Sequence, residues 1–338
     1  MHKDWNSHAE SGTKPRAMKK SVWMFPGQGA QYYQMGRDLF TREPVFREFI
    51  EKGDELAKPL INQSLIDVIY QERSNRFDPF HRLLYTHPAL FVFECAMAEL
   101  LKQRGLRPDY LLGYSLGEYA CLVVSGAAPF AHVLTAIIKE AELTEYCSPV
   151  GGMLAVLDSV EIVERYKNEF RDCSIAARNF ERSFIVSGKR SALAKLQASL
   201  KSAGVNTAEL PVDYAFHSPA MDASQIPRRM VLEQLRLGAP SIPIISIAQR
   251  GLLKEVSVQG LQQATRSPLD LLETIRWLES TGEYLYVDLG PSGSMATAIK
   301  YIRAKTSGSE FAILSSPFGH ESENVRALIE KCNTYFGR

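Results

Sequence analysis

Residues 111–120 read LLGYSLGEYA and place a serine between two glycines at the end of an apolar run. A buried strand, then Gly-x-Ser-x-Gly, then a helix is the context of a nucleophile elbow, whose sharp turn exposes the serine hydroxyl at the edge of a sheet. The segment PDYLLGYS predicts the strand, and LGEYACLVVSG predicts the helix. A purely structural strand-to-helix turn is the alternative for this pattern alone. The segment makes Ser115 a candidate nucleophile.

Strand and helix patterns alternate on both sides of this turn. SVWMFPGQGAQ begins with a short strand, and HPALFVFECAMAELLKQRG predicts a long helix with Pro88 near its start and Gly105 after its end. Further along, the strand pattern IPIISIA, the helix pattern PLDLLETIRWLEST and the strand pattern YLYVDLGP follow one another. This alternation predicts an α/β fold with a mostly parallel sheet.

The pattern of predicted strands and helices changes between residues 150 and 213. Short β-rich runs alternate there with helical patterns in the order β-α-β-β-α-β, which predicts a small ferredoxin-like α+β subdomain. We therefore predict that a large hydrolase-like α/β subdomain comprises residues 21–149 and 214–325, and that residues 150–213 interrupt it. Residues 1–20 are predicted to be a disordered tail.

Charge and cysteine content exclude several function classes. Lys and Arg total 39 against 38 Asp and Glu, so no strong field exists to bind nucleic acid or an anionic membrane. The five cysteines are widely spaced without a CxxC pair, which predicts reduced thiols rather than disulfides or a zinc site. The N-terminal residues lack the apolar core of a signal peptide. The sequence also contains no run of about eighteen apolar residues, which a membrane-spanning helix would require. These patterns favour a cytoplasmic protein.

A serine nucleophile needs a base and an oxyanion site. Of the seven histidines, His217 lies in DYAFHSP, where the large subdomain resumes and where clefts between substructures form. The loop FPGQGAQ offers the backbone amide of Gln28, and the helix N-terminus after Ser115 offers the amide of Leu116. A core histidine and a simple Pro-Gly turn are the alternatives.

Five segments occur together in a recognisable order. FPGQGAQ, GYSLGEYA, the run NFERSFIVSG from Asn179, YAFHSP and VDLGPSG resemble the acyltransferase family, whose best-known member type is the malonyl-CoA:acyl carrier protein transacylase. The resemblance spans roughly residues 20 to 320. It implies a large hydrolase-like subdomain interrupted by a ferredoxin-like one, with the active cleft between them.

The resemblance also assigns roles. It implies that Ser115 is the acylated nucleophile, that His217 is the general base and acid, and that the amides of Gln28 and Leu116 bind the oxyanion. It implies that Asn179 lines the cleft.

In this family a backbone carbonyl orients the histidine, so the implied site is a dyad. The carbonyl is expected before Ser267, around Gln263 or Ala264. Asp213, four residues before His217, is the acidic alternative that would make a triad.

The sequence differs from the family at the position whose side chain binds the acyl group of the substrate. Malonyl-transferring members carry an arginine twenty-five residues after the serine, where it pairs with the free carboxylate of the substrate. That position is Glu140 here, and the helix TAIIKEAELTEYC contains no arginine. Lys139 should face elsewhere, because one residue turns a helix by about 100°. A carboxylate at this position would repel malonate, where the arginine of the family attracts it; a solvated helix residue is the alternative.

Two further departures from the family predict a remodelled acyl pocket, and a third position matches the family. Tyr114 precedes the serine where the family usually has histidine, and His87 stands where glutamine is common. Phe216, before His217, resembles the malonyl pattern. We expect all three, like Glu140, to contact the substrate.

Without the arginine, the enzyme is expected to accept uncharged acyl groups and to admit water. In this it is similar to stand-alone family members of trans-acyltransferase polyketide assembly lines that act as acyl hydrolases. The resemblance implies proofreading: hydrolysis of acyl thioesters on an acyl carrier protein of a polyketide synthase. No metal or organic cofactor is expected, because the phosphopantetheine arm belongs to the carrier. The alternatives are a transacylase for a non-malonyl or malonyl unit, a non-catalytic module that docks carrier proteins, and a general α/β-hydrolase esterase.

Overall fold

The computed structural model describes residues 19–253 and 255–336 of the 338-residue chain. Most of the tail predicted at residues 1–20 therefore lies outside the described residues, and the first strand begins at its end, at Lys20. None of the helices in the described ranges is long and apolar enough to cross a membrane.

The strands alternate with helices along most of the described chain. The strands are β1 (Lys20–Phe25), β2 (Tyr110–Gly113), β3 (Gly152–Val156), β4 (Cys173–Phe180), β5 (Ser183–Gly188), β6 (Thr207–Glu209), β7 (Ile244–Ser246), β8 (Gly251–Leu252), β9 (Leu269–Asp270), β10 (Tyr284–Asp288) and β11 (Glu310–Ile313). The helices are α1 (Arg37–Arg42), α2 (Pro44–Ile61), α3 (Leu65–Ile69), α4 (Leu83–Gln103), α5 (Gly117–Val124), α6 (Phe130–Cys147), α7 (Ile162–Arg165), α8 (Lys167–Phe170), α9 (Arg190–Ser202), α10 (Asp222–Leu232), α11 (Val258–Arg266), α12 (Leu271–Thr281), α13 (Ser294–Ile302) and α14 (Glu321–Phe336).

The large sheet has the strand order β11-β10-β1-β2-β7-β8. Its neighbours pair in parallel except β7 and β8, which pair antiparallel. In the central strand β1, Val22 and Met24 pack into one apolar cluster, while Trp23 and Phe25 pack into another. Both faces of the sheet are therefore buried, as expected for a parallel sheet covered by helices.

The small sheet has the order β6-β3-β5-β4-β9. Residues of β3 and β5 share an apolar cluster with α7, α8 and α9, and Cys173 of β4 packs against it. The first four strands of the sheet pair antiparallel. They follow the β-α-β-β-α-β pattern, with two short helices in the first helical position. The predicted fold class, a mostly parallel α/β sheet with a ferredoxin-like α+β unit, is confirmed.

Two details differ from the sequence analysis. The fifth strand of the small sheet, β9, pairs in parallel with β4. It comprises residues 269–270, which lie within the predicted large subdomain. The helix α4 starts at Leu83, five residues before Pro88. Its first turn is helical because Leu83 and Leu84 are buried in the two large apolar clusters, and this burial favours the added turn.

Candidate active site

Ser115 lies on a tight turn between β2 and α5. Its φ is 55°, in the left-handed region that is strained for a residue with a side chain. A Cβ on Gly117 would come within 1.9 Å of the carbonyl oxygen of Phe25, and one on Gly113 within 2.6 Å of the Cα of Glu118. The two glycines of the motif are therefore required by close backbone approach, as a nucleophile elbow demands.

His217 faces this serine across the cleft. Its Nε2 lies 3.0 Å from the Ser115 Oγ, and its Nδ1 lies 2.9 Å from the carbonyl oxygen of Ser267. Because a carbonyl only accepts, Nδ1 carries the proton and Nε2 accepts from the serine hydroxyl. The His217 backbone, with φ of 58°, donates its N–H to the Thr265 carbonyl at 3.0 Å. Both ends of the residue are therefore fixed by the segment that ends α11.

The orienting carbonyl differs from the one expected. The sequence predicts a carbonyl around Gln263 or Ala264, but the carbonyl that accepts from His217 Nδ1 belongs to Ser267. The Gln263 carbonyl already accepts the Ser267 N–H at the end of α11. The chain then becomes extended at Ser267, which leaves that carbonyl free to face the imidazole.

Asp213 makes no triad with His217. Its carboxylate forms an ion pair with Arg190 instead, and its Oδ2 lies 3.5 Å from the Nε2 of His81. The acidic alternative is therefore wrong, and the geometry is that of a serine and a histidine oriented by a carbonyl.

Burial lowers the pKa of His217 to about 4, against the opposing effect of its hydrogen bond to Ser267. The positive charge of Arg228 lowers this pKa further. Burial and the charge of Arg228 likewise lower the pKa of His87, to about 3. At neutral pH, His217 is therefore uncharged and able to accept a proton.

The serine and the histidine line a partly open cavity with a volume of about 40 Å³. Most residues singled out in the sequence line it: Gln28, His87, Tyr114, Ser115, Leu116, Glu140, Phe216 and His217. Others were not anticipated: Tyr119, Ile137, Thr144, Met153, Arg228 and Thr265. We call this cavity the acyl pocket.

Asn179 lies outside the acyl pocket. The Tyr114 hydroxyl donates a 3.0 Å hydrogen bond to its Oδ1, and Asn179 lines a neighbouring cavity of about 190 Å³. Gln28 and Tyr114 line both cavities. The two cavities therefore adjoin at these two residues.

Glu140 faces the acyl pocket but is not an unpaired carboxylate. Arg228, from α10, places its Nε and Nη2 atoms 3.0 and 2.8 Å from the Glu140 Oε1. The Tyr119 hydroxyl donates to Oε2, and Arg228 Nη2 donates to the Thr265 Oγ1 at 2.8 Å. Glu140 and Arg228 are 5% and 3% exposed.

The expectation that no arginine lies near Glu140 is thus wrong, and so is the alternative of a solvated Glu140. The arginine comes from a different helix, which packs against α6. One signal in the sequence could have indicated its burial: Ser224, Arg228 and Leu232 recur every four residues and form the buried face of α10.

The described cysteines take no part in the acyl pocket. All five are free, and three of them are buried: Cys95, Cys121 and Cys332. Over the described ranges, no group of three or more His, Cys, Asp or Glu side chains could hold a metal ion.

A mixed α/β fold with a serine on a strand-to-helix turn, in contact with a histidine held by a carbonyl, is typical of enzymes that act on acyl groups. Comparison with known proteins agrees with that class. The chain belongs to the acyl transferase domain family, whose sequence model matches residues 22–312.

The chain is similar to two curated bacterial proteins over nearly its whole length. It is 34% identical to the polyketide biosynthesis acyltransferase homolog PksD of Bacillus subtilis, over 91% of this chain and 95% of that protein. It is also 34% identical to the homolog BaeD of Bacillus velezensis, with the same shares covered. Among solved structures, a loading acyltransferase from the avermectin modular polyketide synthase superposes with a TM-score of 0.83 at 25% identity, covering 93% of this chain and 99% of that one.

Proposed function

We propose that the protein removes short, uncharged acyl groups from thioesters on an acyl carrier protein of polyketide biosynthesis and releases them as free acids. The observation that carries this proposal is the Glu140–Arg228 ion pair inside the acyl pocket, because it leaves no unpaired arginine among the described residues that line this pocket. The names of the similar proteins PksD and BaeD support the polyketide context.

The first half of the reaction acylates the serine. His217 Nε2 takes the hydroxyl proton of Ser115 as Oγ forms a bond to the thioester carbonyl carbon. The amides of Gln28 and Leu116 stabilise the oxyanion. The intermediate collapses, the carbon–sulfur bond breaks, and His217 returns its proton to the leaving thiol.

The second half of the reaction releases the acid. His217 takes a proton from a water molecule, whose oxygen attacks the acyl-serine carbonyl. The ester bond to Oγ breaks, and the proton on His217 returns to Ser115. The sum is one thioester and one water converted into one carboxylic acid and one thiol.

The size and charge of the acyl pocket support the substrate class. A water molecule needs about 10–15 Å³ of such a cavity, so the volume of about 40 Å³ suits an acyl group with only a few heavy atoms. A free carboxylate entering this pocket would lose its hydration and meet an arginine that is already paired. Without a new partner, such a buried charge is unfavourable.

Transfer to a second carrier thiol is the other candidate, and one observation favours it. Ser115 and His217 are 8% and 4% exposed, so an acyl-serine would be shielded from bulk water until a thiol arrived. This second function uses the same first half-reaction and differs only in the acceptor.

One assay separates the two acceptors. A carrier protein loaded with an acetyl group is incubated with the enzyme and an unloaded second carrier. Free acetate and acetylated second carrier are then quantified. Hydrolysis predicts free acetate as the main product, whereas transfer predicts acetylated second carrier. A malonyl-loaded carrier should react at least about tenfold more slowly, and equal rates would contradict the proposed selectivity.

A further inference from the structure

The acyl pocket contains a carboxylate of its own, seated on a buried guanidinium. Arg228 directs two nitrogens at the Glu140 Oε1, and Glu140 receives the Tyr119 hydroxyl on its other oxygen. A guanidinium fork binds a carboxylate by its geometry and charge, whichever molecule supplies it. The Arg228 site is therefore a carboxylate-binding site whose present ligand is a side chain of the protein.

This site is connected to the reacting residues. Thr265 accepts from Arg228 Nη2 through its hydroxyl and from the His217 N–H through its carbonyl. The Arg228 charge also acts on the His217 imidazole. Glu140, Arg228, Ser115 and His217 all line the acyl pocket. A ligand that replaced the Glu140 carboxylate would lie in the cavity that receives the acyl group.

We propose that Glu140 determines acyl specificity by occupying the carboxylate site of Arg228, and that removing the Glu140 carboxylate opens this site to acyl groups that carry a free carboxylate. This inference rests on the proposed function, because the acyl group must enter this pocket. The glutamate acts as a permanent internal competitor, so the arginine remains able to bind anions but is not available to the substrate.

The volumes involved fit this exchange. Glu140→Ala deletes a carboxymethyl group, and a malonyl group exceeds an acetyl group by one carboxylate. The variant therefore vacates both the charge and the space that the malonyl carboxylate requires. Glu140→Gln removes the charge but keeps the volume, so it should open the site less than Glu140→Ala.

The first experiment measures binding without catalysis. In a Ser115→Ala background, Glu140→Ala is titrated with formate, and the melting temperature is recorded. We expect it to rise with saturation in formate, and not with chloride at equal ionic strength. Adding Arg228→Met should remove the response. The matched control is Glu142→Gln, an exposed glutamate on the same helix, which should respond no more than the parent. A Glu140→Ala protein that does not respond to formate overturns the inference.

The second experiment measures specificity. The ratio of kcat/KM for malonyl-carrier to that for acetyl-carrier should rise at least tenfold in Glu140→Ala and by less in Glu140→Gln. If Glu140→Ala does not fold, Glu140→Gln decides through a smaller rise in this ratio, because it removes the competing negative charge while its amide oxygen still accepts from Arg228 and keeps the protein folded. An unchanged ratio in the folded variant overturns the inference. If the unmodified enzyme releases no acyl group from any carrier, the proposed function fails, while the formate response still tests the Arg228 site.

Discussion

The acyl pocket contains two buried polar pairs that are built in different ways. The Ser115–His217 contact joins two turns in which both residues have left-handed backbone angles. The Glu140–Arg228 contact joins two regular helices, α6 and α10, that pack against each other. Both contacts are about 3 Å long, yet one pair is neutral and the other is charged.

This difference predicts which function each pair serves. Loss of the Ser115 hydroxyl leaves His217 still bonded to Ser267, so little stability should be lost. Loss of either member of the ion pair leaves a buried charge without its partner, which is strongly destabilising. The first pair should therefore control the rate of the reaction, and the second should control stability and acyl choice.

The largest expected effect is on catalysis. Ser115→Ala and His217→Ala should each lower kcat/KM by about 10³-fold or more, and the double variant should be no slower than the single ones, because the two groups act as a unit. Acetate release from acetyl-carrier measures the rates. A double variant whose loss is the product of the two single losses would mean that the residues act independently.

The next largest effect separates the two pairs by stability. Arg228→Met should lower the free energy of unfolding by about 3–5 kcal/mol, because Glu140 is left buried without its cation. The double variant Glu140→Leu, Arg228→Met should recover most of this loss. Urea denaturation gives the values. The neighbouring Arg229, whose ion pair with Glu233 is on the surface, provides the control: Arg229→Met should cost less than about 1 kcal/mol. Equal losses at the two arginines would show that burial of the pair contributes nothing.

The pH dependence tests the neutral pair. The folded-state pKa of His217 is lowered to about 4, so between pH 6.5 and 4 the unfolded chain binds more protons than the folded one. The stability tied to His217 is complete above pH 6.5 and falls by about 3 kcal/mol as the pH is lowered to 4. The pKa of His87 is lowered as well, so the unfolding free energy is also measured against pH in His87→Gln, where only His217 contributes this effect.

The rate of the reaction should show the same pKa. The value of kcat/KM should be level above about pH 5 and half-maximal near pH 4. A half-maximum near pH 6.5 would show that His217 is not desolvated.

The smallest effect concerns the hydroxyl that supports the charged pair. Tyr119→Phe removes the donor to the Glu140 Oε2 and should cost about 2 kcal/mol, as expected for a hydrogen bond to a charged group. The control is Tyr146→Phe at a side chain that is 90% exposed, where no loss is expected. The two unfolding free energies are compared in urea. Equal losses of unfolding free energy in the two variants would show that the Tyr119 hydroxyl does not stabilise the Glu140–Arg228 pair.

The sequence predicts the neutral pair much better than the charged one. Ser115 is recognisable because its turn is local: strand, glycines and helix are contiguous. His217 is recognisable because it lies in a short motif at the junction of the two sheets. The large sheet and the ferredoxin-like strand order also follow from periodicity within single segments.

The missed features all depend on contacts between distant segments. Arg228 meets Glu140 across 88 residues of chain, and the periodicity of α10 indicates only that this arginine is buried, not what it contacts. The carbonyl of Ser267 is available because the helix before it ends one residue earlier. The pairing of β9 with β4 involves two residues, too few to give a strand pattern.

The placement of Ser267 has a mechanical consequence. Its carbonyl holds the imidazole of His217, and two residues later the same chain joins the edge of the small sheet as β9. A motion that separated the two sheets would displace the Ser267 carbonyl and turn the His217 imidazole away from the Ser115 hydroxyl. The relative position of the two sheets therefore sets the distance between the imidazole and the serine hydroxyl, and separating the sheets is expected to slow the reaction.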